Sequence, residues 1–186
     1  MERYDVLVDD SLWGSAIGGV IVGLYSFRLN MFVYMVVGVE HFQSPKFENK
    51  TYMGAIAEAS LEMVKELEIR KDEKILLCRG YCNNGTHKLL TQEGYDVTRG
   101  VIEEPLQSIL EERSRKHLAE IGCELYYDPK DMDKKDIGRS FNNVVRWAVQ
   151  NNRLDICKTG WNYFKDGKHL RFAKKEKSKK RTKKKK

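Results

Sequence analysis

Short apolar runs alternate with turn-forming residues over the first part of the chain. The runs cover residues 6–8, 16–25 and 31–39, and Arg-Leu-Asn at residues 28–30 separates the last two. Runs of this length between polar residues are typical of β-strands. The first run ends in Asp9, Asp10 and Ser11. The pattern predicts three consecutive strands with two carboxylates at the end of the first, although Asp-Asp-Ser is also typical of a plain turn.

Apolar positions three and four residues apart predict helices in the rest of the chain. The predicted helices cover residues 53–67, 86–93, 105–122 and 133–150, and two further strands cover residues 74–78 and 95–102. Residues 155–173 show no periodicity and are interpreted as an aromatic-rich loop. Right-handed crossovers place the fourth and fifth strands parallel to the first. The element order therefore predicts an α/β fold with a five-stranded mixed sheet flanked by helices.

The charge of the chain is concentrated at its C-terminal end. The 186 residues carry a net charge of +7, but residues 174–186 contain ten basic residues and one acidic residue, which leaves −2 for the remainder. A polycation without apolar residues is expected to be a disordered tail that binds nucleic acid phosphates. A solvating tail and an anionic membrane surface are the alternatives. The predicted nucleic-acid contacts are Lys174, Lys175, Lys179, Lys180, Arg181 and Lys183.

Cysteine usage and the N-terminal sequence point to a reducing compartment. The chain has four cysteines, and its first residues carry no signal-peptide pattern. Such cysteines are typical of reduced thiols in a cytoplasmic protein. No apolar run approaches the roughly 18 residues of a membrane-spanning helix, so no membrane partner is expected. Cys78, Cys82 and His87 have loose metal-ligand spacing, but no second pair of ligands accompanies them, which does not favour zinc.

The element order, together with Val8-Asp9-Asp10-Ser11, resembles the ribonuclease H-like superfamily over about residues 4–150. That superfamily includes ribonuclease H, Holliday-junction resolvases, integrases and endonuclease V relatives. The resemblance implies phosphodiester hydrolysis that depends on Mg²⁺ or Mn²⁺ held by acids at strand ends. It places Asp9 in the position of a metal ligand, with Asp10 as a second candidate.

The resemblance also implies acids in the first helix, at the end of the fourth strand and near the start of the last helix. Asp136, or Asp133 one turn earlier, suits the last of these positions, although the helix dipole alone also favours an acid there. The first-helix position falls near Thr51, and Arg79 stands where the fourth strand should end in an acid. Glu103, after the fifth strand, could replace that acid. The implied catalytic residues are Asp9, Asp10, Glu103 and Asp136, with Asp9, Asp10 and Asp136 as metal ligands.

Arg79 changes the expected chemistry, because an arginine cannot bind a cation. We expect it either to pair with Asp9 or Asp10 on the neighbouring strand or to present its planar fork to a phosphate. A second Arg-Gly pair follows in the fifth strand, and residues 80–86 add glycines and amides before a helix, a geometry that suits an anion as well as a plain turn. The predicted phosphate-binding residues are Arg79, Gly80, Asn83, Asn84 and Arg99.

Bases and aromatic residues alternate over residues 158–165. This composition is typical of single-strand binders, but it equally predicts a strap that packs Trp161 and Phe164 on the body. We therefore divide the chain into a ribonuclease H-like domain (residues 1–150), a C-terminal aromatic strap (151–173) and a lysine-rich tail (174–186). Two functions remain open. One is a metal-dependent nuclease, and the other is a non-catalytic nucleic-acid- or phosphate-binding protein in which Arg79 replaces a metal ligand.

Overall fold

The computed structural model describes residues 4–125 and 133–173 of the chain. The strands are β1 (Val6–Ser11), β2 (Val20–Ser26), β3 (Met31–Val37), β4 (Lys74–Cys78) and β5 (Asp96–Gly100). The helices are α1 (Thr51–Glu66), α2 (Asn84–Gln92), α3 (Leu106–Glu120), α4 (Lys134–Gln150) and the short α5 (Asn162–Lys165). Each strand and each of the longer helices lies within a few residues of its predicted position.

The strands form one mixed sheet in the order β3-β2-β1-β4-β5. β2 is antiparallel to both β1 and β3, whereas β4 is parallel to both β1 and β5. The prediction of an α/β fold with a five-stranded mixed sheet is confirmed. Because β1, β4 and β5 run in the same direction, their carboxyl ends meet at one edge of the sheet, which is where open α/β sheets place their sites.

Alternation along β1 divides the core between the two faces of the sheet. Val6 and Val8 pack with α1 in one buried cluster, whereas Leu7 packs with Leu106 and Leu110 of α3 in another. The same alternation continues past the apolar residues of the strand. It assigns Asp10 to the α1 side of the sheet and Asp9 to the α3 side.

The C-terminal segment is attached to the loop between β1 and β2. Ile17 and Cys157 form an antiparallel bridge, and the backbone N–H of Lys158 donates to the carbonyl of Ala16 at 2.9 Å. Phe164 is buried in the cluster that also holds the core side of α4, and Trp161 is half-buried beside it. This is the packing that the strap interpretation of the sequence expects.

Two boundaries differ from the sequence prediction. β2 begins at Val20 rather than at residue 16, because Gly18 and Gly19 adopt positive φ angles of 82° and 72° that interrupt an extended strand. A Cβ atom on Gly19 would lie 2.2 Å from the carbonyl oxygen of Val37, so only glycine fits there. Within the C-terminal segment, which was interpreted as a loop, residues 162–165 form α5.

Three predictions concern the whole chain. All four cysteines are free thiols, as predicted. Over residues 4–125 and 133–173, no helix is both long enough and apolar enough to cross a membrane. The lysine-rich tail, with its predicted contacts at Lys174, Lys175, Lys179, Lys180, Arg181 and Lys183, lies outside the described residues.

Candidate functional site

Two carboxylates and a thiol converge at the carboxyl end of β1. Asp9 and Asp10 pair with Gly23 and Val22 of β2, and Cys78 is the last residue of the neighbouring β4. One carboxylate oxygen from each aspartate and the Sγ atom of Cys78 lie within 4.8 Å of one another. Asp9 Oδ1 also accepts a hydrogen bond from the backbone N–H of Asp10 at 2.8 Å. The two side chains therefore meet at the end of the strand, although they start from opposite faces of the sheet.

The loop that follows β4 closes over Asp10. Asp10 Oδ1 accepts hydrogen bonds from Cys82 Sγ at 3.1 Å and from Asn83 Nδ2 at 2.7 Å. Both donors belong to the 3₁₀ turn Tyr81–Asn83. A Cβ atom on Gly80 would lie 3.7 Å from Asp10 Oδ1. Asn83 is fully buried, and its Oδ1 atom has no hydrogen-bond partner among the described residues.

A fully buried lysine, Lys158, completes this pocket from the C-terminal segment. Its ammonium donates to the carbonyl oxygens of Leu12 at 2.6 Å and Trp13 at 3.1 Å. The rings of Phe42 and Trp161 lie 4.8 Å and 5.2 Å from its Nζ atom. Two carbonyls and two aromatic faces replace part of the water that a buried ammonium loses. We call Asp9, Asp10, Cys78, Cys82, Asn83 and Lys158 the acid pocket.

Gly160 allows the C-terminal segment to approach the body closely enough to deliver Lys158. Its backbone N–H donates to the carbonyl of Phe42 at 3.0 Å. A Cβ atom at this position would lie 2.5 Å from the Cβ of Phe47 and 2.8 Å from that same carbonyl oxygen. A side chain there would push the segment away from the body, and with it the lysine two residues earlier.

Burial controls the ionisation of the acid pocket. It raises the pKa of Asp9 to about 6, and the charge of Asp10 adds to this effect. Burial also raises the pKa of Asp10, although hydrogen bonds from Cys82 and Asn83 and the charge of Lys158 oppose the shift. It lowers the pKa of Lys158 to about 7 against the opposing charge of Asp10. Burial therefore opposes the charged forms of both the carboxylic acids and the amine.

The expected pairing of Arg79 with Asp9 or Asp10 is not formed. The side chain of Arg79 is exposed, and among the described residues it makes no ion pair with either aspartate. Its backbone N–H donates to the carbonyl of Gly100 at 3.0 Å, which continues the pairing of β4 with β5 beyond the strand ends. Within the described residues, the cation whose charge acts on Asp10 is Lys158.

The structure brings together only two of the four acids that the resemblance implies. Glu103 is exposed in the segment between β5 and α3. Asp136 lies in the first turn of α4, where it pairs with Arg139 at 2.8 Å and its backbone N–H donates to the capping carboxylate of Asp133 at 2.8 Å. Neither belongs to the carboxylate–thiol cluster found in the described part of the chain. Asp136 has the surroundings that helix capping alone would give it.

Four of the five predicted phosphate-binding residues do lie together, but they bind one another. Arg99 Nη2 donates to the carbonyls of Gly80 at 2.7 Å and Cys78 at 3.3 Å, and its Nη1 atom donates to Asn84 Oδ1. The Nδ2 atom of Asn83 donates its hydrogen bond to Asp10. Arg99 therefore fixes the loop that covers the acid pocket. Arg79 and Asn84 are the exposed members of the predicted set, and of these two Asn84 is bonded to Arg99.

The sequence matches no protein-family model and no curated protein. The chemistry of the acid pocket must therefore be argued from its residues and their geometry.

The acid pocket fits one divalent cation of the kind that the resemblance implies. Asp9 and Asp10 offer oxygen ligands on one side, and the buried Oδ1 of Asn83 lacks a partner beside them. A cation would favour the ionised form of both carboxylates, which burial alone disfavours. Burial and the charge of Asp9 raise the pKa of the Cys78 thiol to about 12, so the two carboxylates provide the oxygen ligands that Mg²⁺ and Mn²⁺ both prefer. A second cation would need Glu103 or Asp136, and neither is in the cluster.

Proposed function

We propose that this chain is a nucleic-acid-processing protein on a ribonuclease H-like scaffold. In this proposal it hydrolyses phosphodiesters with one divalent cation, Mn²⁺ or Mg²⁺, held by Asp9 and Asp10. The observation that carries the proposal is the convergence of both carboxylates with Cys78 at the carboxyl end of β1. The strand order β3-β2-β1-β4-β5 supports the scaffold, since it puts that end of β1 at the edge where β4 and β5 also finish.

When bound, the cation would supply Lewis acidity and lower the pKa of a bound water. Residues of the acid pocket would hold the cation and balance the charge around it. Asp9 must be ionised to hold the cation, and with a pKa of about 6 it is mostly ionised at neutral pH. The amide of Asn83 fixes one oxygen of Asp10 and leaves the other lone pairs of the carboxylate available. In its protonated form, Lys158 partly offsets the negative charge that Asp10 would present to an approaching phosphate.

A non-catalytic nucleic-acid- or phosphate-binding protein is the second candidate. Two observations favour it. Glu103 and Asp136 lie outside the cluster in the described part of the chain, and the fully buried Lys158 already provides a positive charge to Asp10. In this candidate the exposed Arg79 contacts a phosphate, and the acid pocket holds the loop after β4 in place.

Nuclease assays separate the two candidates. Labelled single-stranded, duplex, hybrid and branched substrates are incubated with Mn²⁺, with Mg²⁺ or with EDTA. The double variant Asp9→Asn, Asp10→Asn is compared with Glu58→Gln, Glu62→Gln, which removes two exposed acids of α1 and so changes the net charge equally. Metal-dependent cleavage by the wild type and the α1 variant, lost in the pocket variant, supports the nuclease. Salt-sensitive binding without cleavage by any form supports the non-catalytic protein.

Metal binding is measured separately from cleavage. At a Mn²⁺ concentration of about 100 times its dissociation constant, a cation bound only by the folded chain stabilises it by about 2.7 kcal/mol. Urea unfolding with and without Mn²⁺ should show this gain in the wild type and in the α1 variant but not in the pocket variant. An equal gain in all three proteins would place the cation elsewhere and remove the proposed site.

A further inference from the structure

A second region with unassigned chemistry lies between α4 and the end of the described chain. A groove of about 580 Å³ is lined by Lys135, Arg139 and Arg146 of α4 and by Arg171 and Phe172. No acidic residue is among the described residues that line it. We call this region the basic groove. Both its walls are distinct from the acid pocket, since they come from α4 and from residues 171–172.

The cations of α4 form a row along one face of the helix. The cations are at positions 135, 139 and 146, and the neutral Asn142 lies between the last two. These positions are spaced four, three and four residues apart, so their side chains lie one above another. At about 1.5 Å per residue the row is about 16 Å long. The opposite face of α4 is occupied by the buried residues Val144, Val145 and Ala148. Packing of α4 against the core therefore directs the row away from the body.

Within residues 4–125 and 133–173, most of these cations have no acidic partner. Arg139 pairs with Asp136, but Lys135, Arg146 and Arg171 form no ion pair among the described residues. The guanidinium groups of Arg146 and Arg171 lie 5.1 Å and 4.9 Å from the ring of Phe172. Stacking on a ring limits the freedom of a guanidinium but leaves N–H donors for a ligand.

Asn142 holds one wall of the groove in place. Its Oδ1 atom accepts hydrogen bonds from Arg171 Nη2 at 2.6 Å and from the hydroxyl of Tyr163 at 2.8 Å. The same hydroxyl accepts a hydrogen bond from Arg171 at 3.0 Å. Arg171 is thereby fixed to α4 before any ligand arrives, which lowers the entropic cost of binding.

We propose that the basic groove binds the sugar–phosphate backbone of a nucleic acid. Guanidinium forks match phosphate oxygens, and a row of cations suits a chain of phosphates better than one small anion. In the sequence, the polycationic residues that begin at position 174 follow soon after Arg171 and Phe172 of the groove. This inference rests on the proposed function, because it names a second contact surface for the same substrate.

The composition of the groove favours nucleic acid over an anionic membrane. Helices that bind membrane surfaces combine basic residues with exposed large apolar side chains that enter the lipid. Phe172, the apolar residue of the groove, is only 6% exposed and lies beneath two arginines. The groove is also concave, so its cations are less available to a flat surface than to a strand.

Direct binding tests the inference in the full chain. The groove variant Arg146→Gln, Arg171→Gln is compared with Lys65→Gln, Lys88→Gln, which removes two exposed lysines of α1 and α2 and changes the net charge equally. The probes are a fluorescent 20-nucleotide single-stranded DNA, chosen at about the length of a short binding site, and phosphatidylserine vesicles. All measurements contain EDTA and cover a range of salt concentrations.

Each pair of substitutions is also made in a full-length background whose tail carries less charge. In that background the residues changed to glutamine are Lys174, Lys175, Lys179, Lys180, Arg181 and Lys183, which lowers the net charge of residues 174–186 from +9 to +3. This reduces the tail contribution, which could otherwise hide the groove. A second groove variant, Lys135→Gln with Arg146→Gln, keeps the test valid if loss of Arg171 disturbs packing.

We expect both groove variants to bind the DNA about 10-fold more weakly in both backgrounds and to lower the salt slope by about 1.4, the value for two phosphate contacts on a single strand. The lysine control should change affinity less than about twofold. Equal binding by groove and control variants would overturn the inference, as would groove-dependent binding of vesicles without binding of DNA. Because EDTA removes divalent cations, a chain that binds through the groove but never cleaves would contradict only the proposed hydrolysis.

Discussion

The acid pocket and the basic groove hold charge in opposite ways. In the acid pocket, Lys158 is fully buried and Asp9 and Asp10 are half-buried. Burial raises the pKa of both aspartates and lowers the pKa of the lysine, so it favours the neutral form of each. In the basic groove, Lys135 and Arg146 are exposed, and among the described residues no carboxylate pairs with them. The charged groups of the acid pocket interact with one another in a fixed arrangement. The charged groups of the basic groove remain available to a partner.

The difference between the two regions determines how each responds to its surroundings. Buried charges interact strongly with one another, so that removing one changes the ionisation and packing of the rest. Exposed charges are screened by salt over about 8–10 Å and contribute little to folding. The acid pocket should therefore dominate the stability and pH dependence of the protein, and the basic groove should dominate the salt dependence of its binding.

Removal of the buried ammonium should have the largest effect. Lys158→Ala leaves the carbonyls of Leu12 and Trp13 without their donor, deprives Asp10 of its cation and opens a cavity between two aromatic rings. We expect the free energy of unfolding at pH 7 to fall by about 4 kcal/mol. This corresponds to a decrease of roughly 8–16 °C in melting temperature. Urea denaturation and a thermal melt both measure it.

The matched control is Lys88→Ala, since Lys88 is exposed on α2. Its effect should stay within about 0.5 kcal/mol. If Lys158→Ala were equally mild, the ammonium would not be stabilising the pocket, and the contrast between buried and exposed charge would fail.

The pH dependence of stability should show the next largest effect. Because the pKa of Asp9 is raised to about 6, the folded chain binds this proton more tightly than the unfolded chain does. The contribution of protonated Asp9 to the free energy of unfolding is thus complete below about pH 4. It is lost as the pH rises through 6, because the carboxylate ionises. A pKa shift of this size lowers the free energy of unfolding by about 3 kcal/mol across the interval, compared with a residue that does not titrate.

Comparison of wild type with Asp9→Asn isolates this contribution, because asparagine does not titrate. Urea unfolding free energies from pH 4 to pH 7.5 should show the wild type losing stability relative to the variant across the interval. Saturating Mn²⁺ should reverse the trend, since the cation binds the ionised carboxylate. A difference that does not change with pH would show that Asp9 is not desolvated in the folded protein.

A substitution in the basic groove should have the smallest effect on the free energy of unfolding, and it should raise this free energy rather than lower it. Lys135→Gln removes a like-charge neighbour of Arg139 four residues along α4. We expect a gain of about 0.3 kcal/mol in unfolding free energy at low salt, vanishing at 1 M NaCl, where the screening length is about 3 Å. Unfolding curves at both salt concentrations measure the change. A loss above about 1 kcal/mol would mean that the groove is part of the folded core.

The sheet could be predicted from the sequence because its signals are local. The alternation of apolar residues around β1 and β2 and the helical spacing in α1 are set by neighbours in the chain. The predicted start of β2 was wrong at Gly18 and Gly19. Their positive φ angles and the close approach of Val37 depend on contacts made in the folded protein, which the local pattern does not show.

The acid pocket could be predicted only in part for the same reason. Asp9 and Asp10 were found because two carboxylates at a strand end have a local signature. Lys158 was missed, and Arg79 was expected in its place, because no periodicity connects position 158 to position 10. The one available signal was that Lys158 follows a cysteine and precedes aromatic residues in a segment that packs on the body. That signal indicates that Lys158 is buried, but it does not indicate that Asp10 is its partner.

The long chain distance between Lys158 and β1 also has a consequence for biosynthesis. The ammonium binds a carbonyl 146 residues earlier in the chain. At a translation rate of 5–20 residues per second, β1 precedes that lysine by about 7–30 s. Throughout this interval a nascent polypeptide carries both aspartates without the cation that later accompanies them. A product released from the ribosome before residue 158 would therefore contain the acids but not the finished pocket.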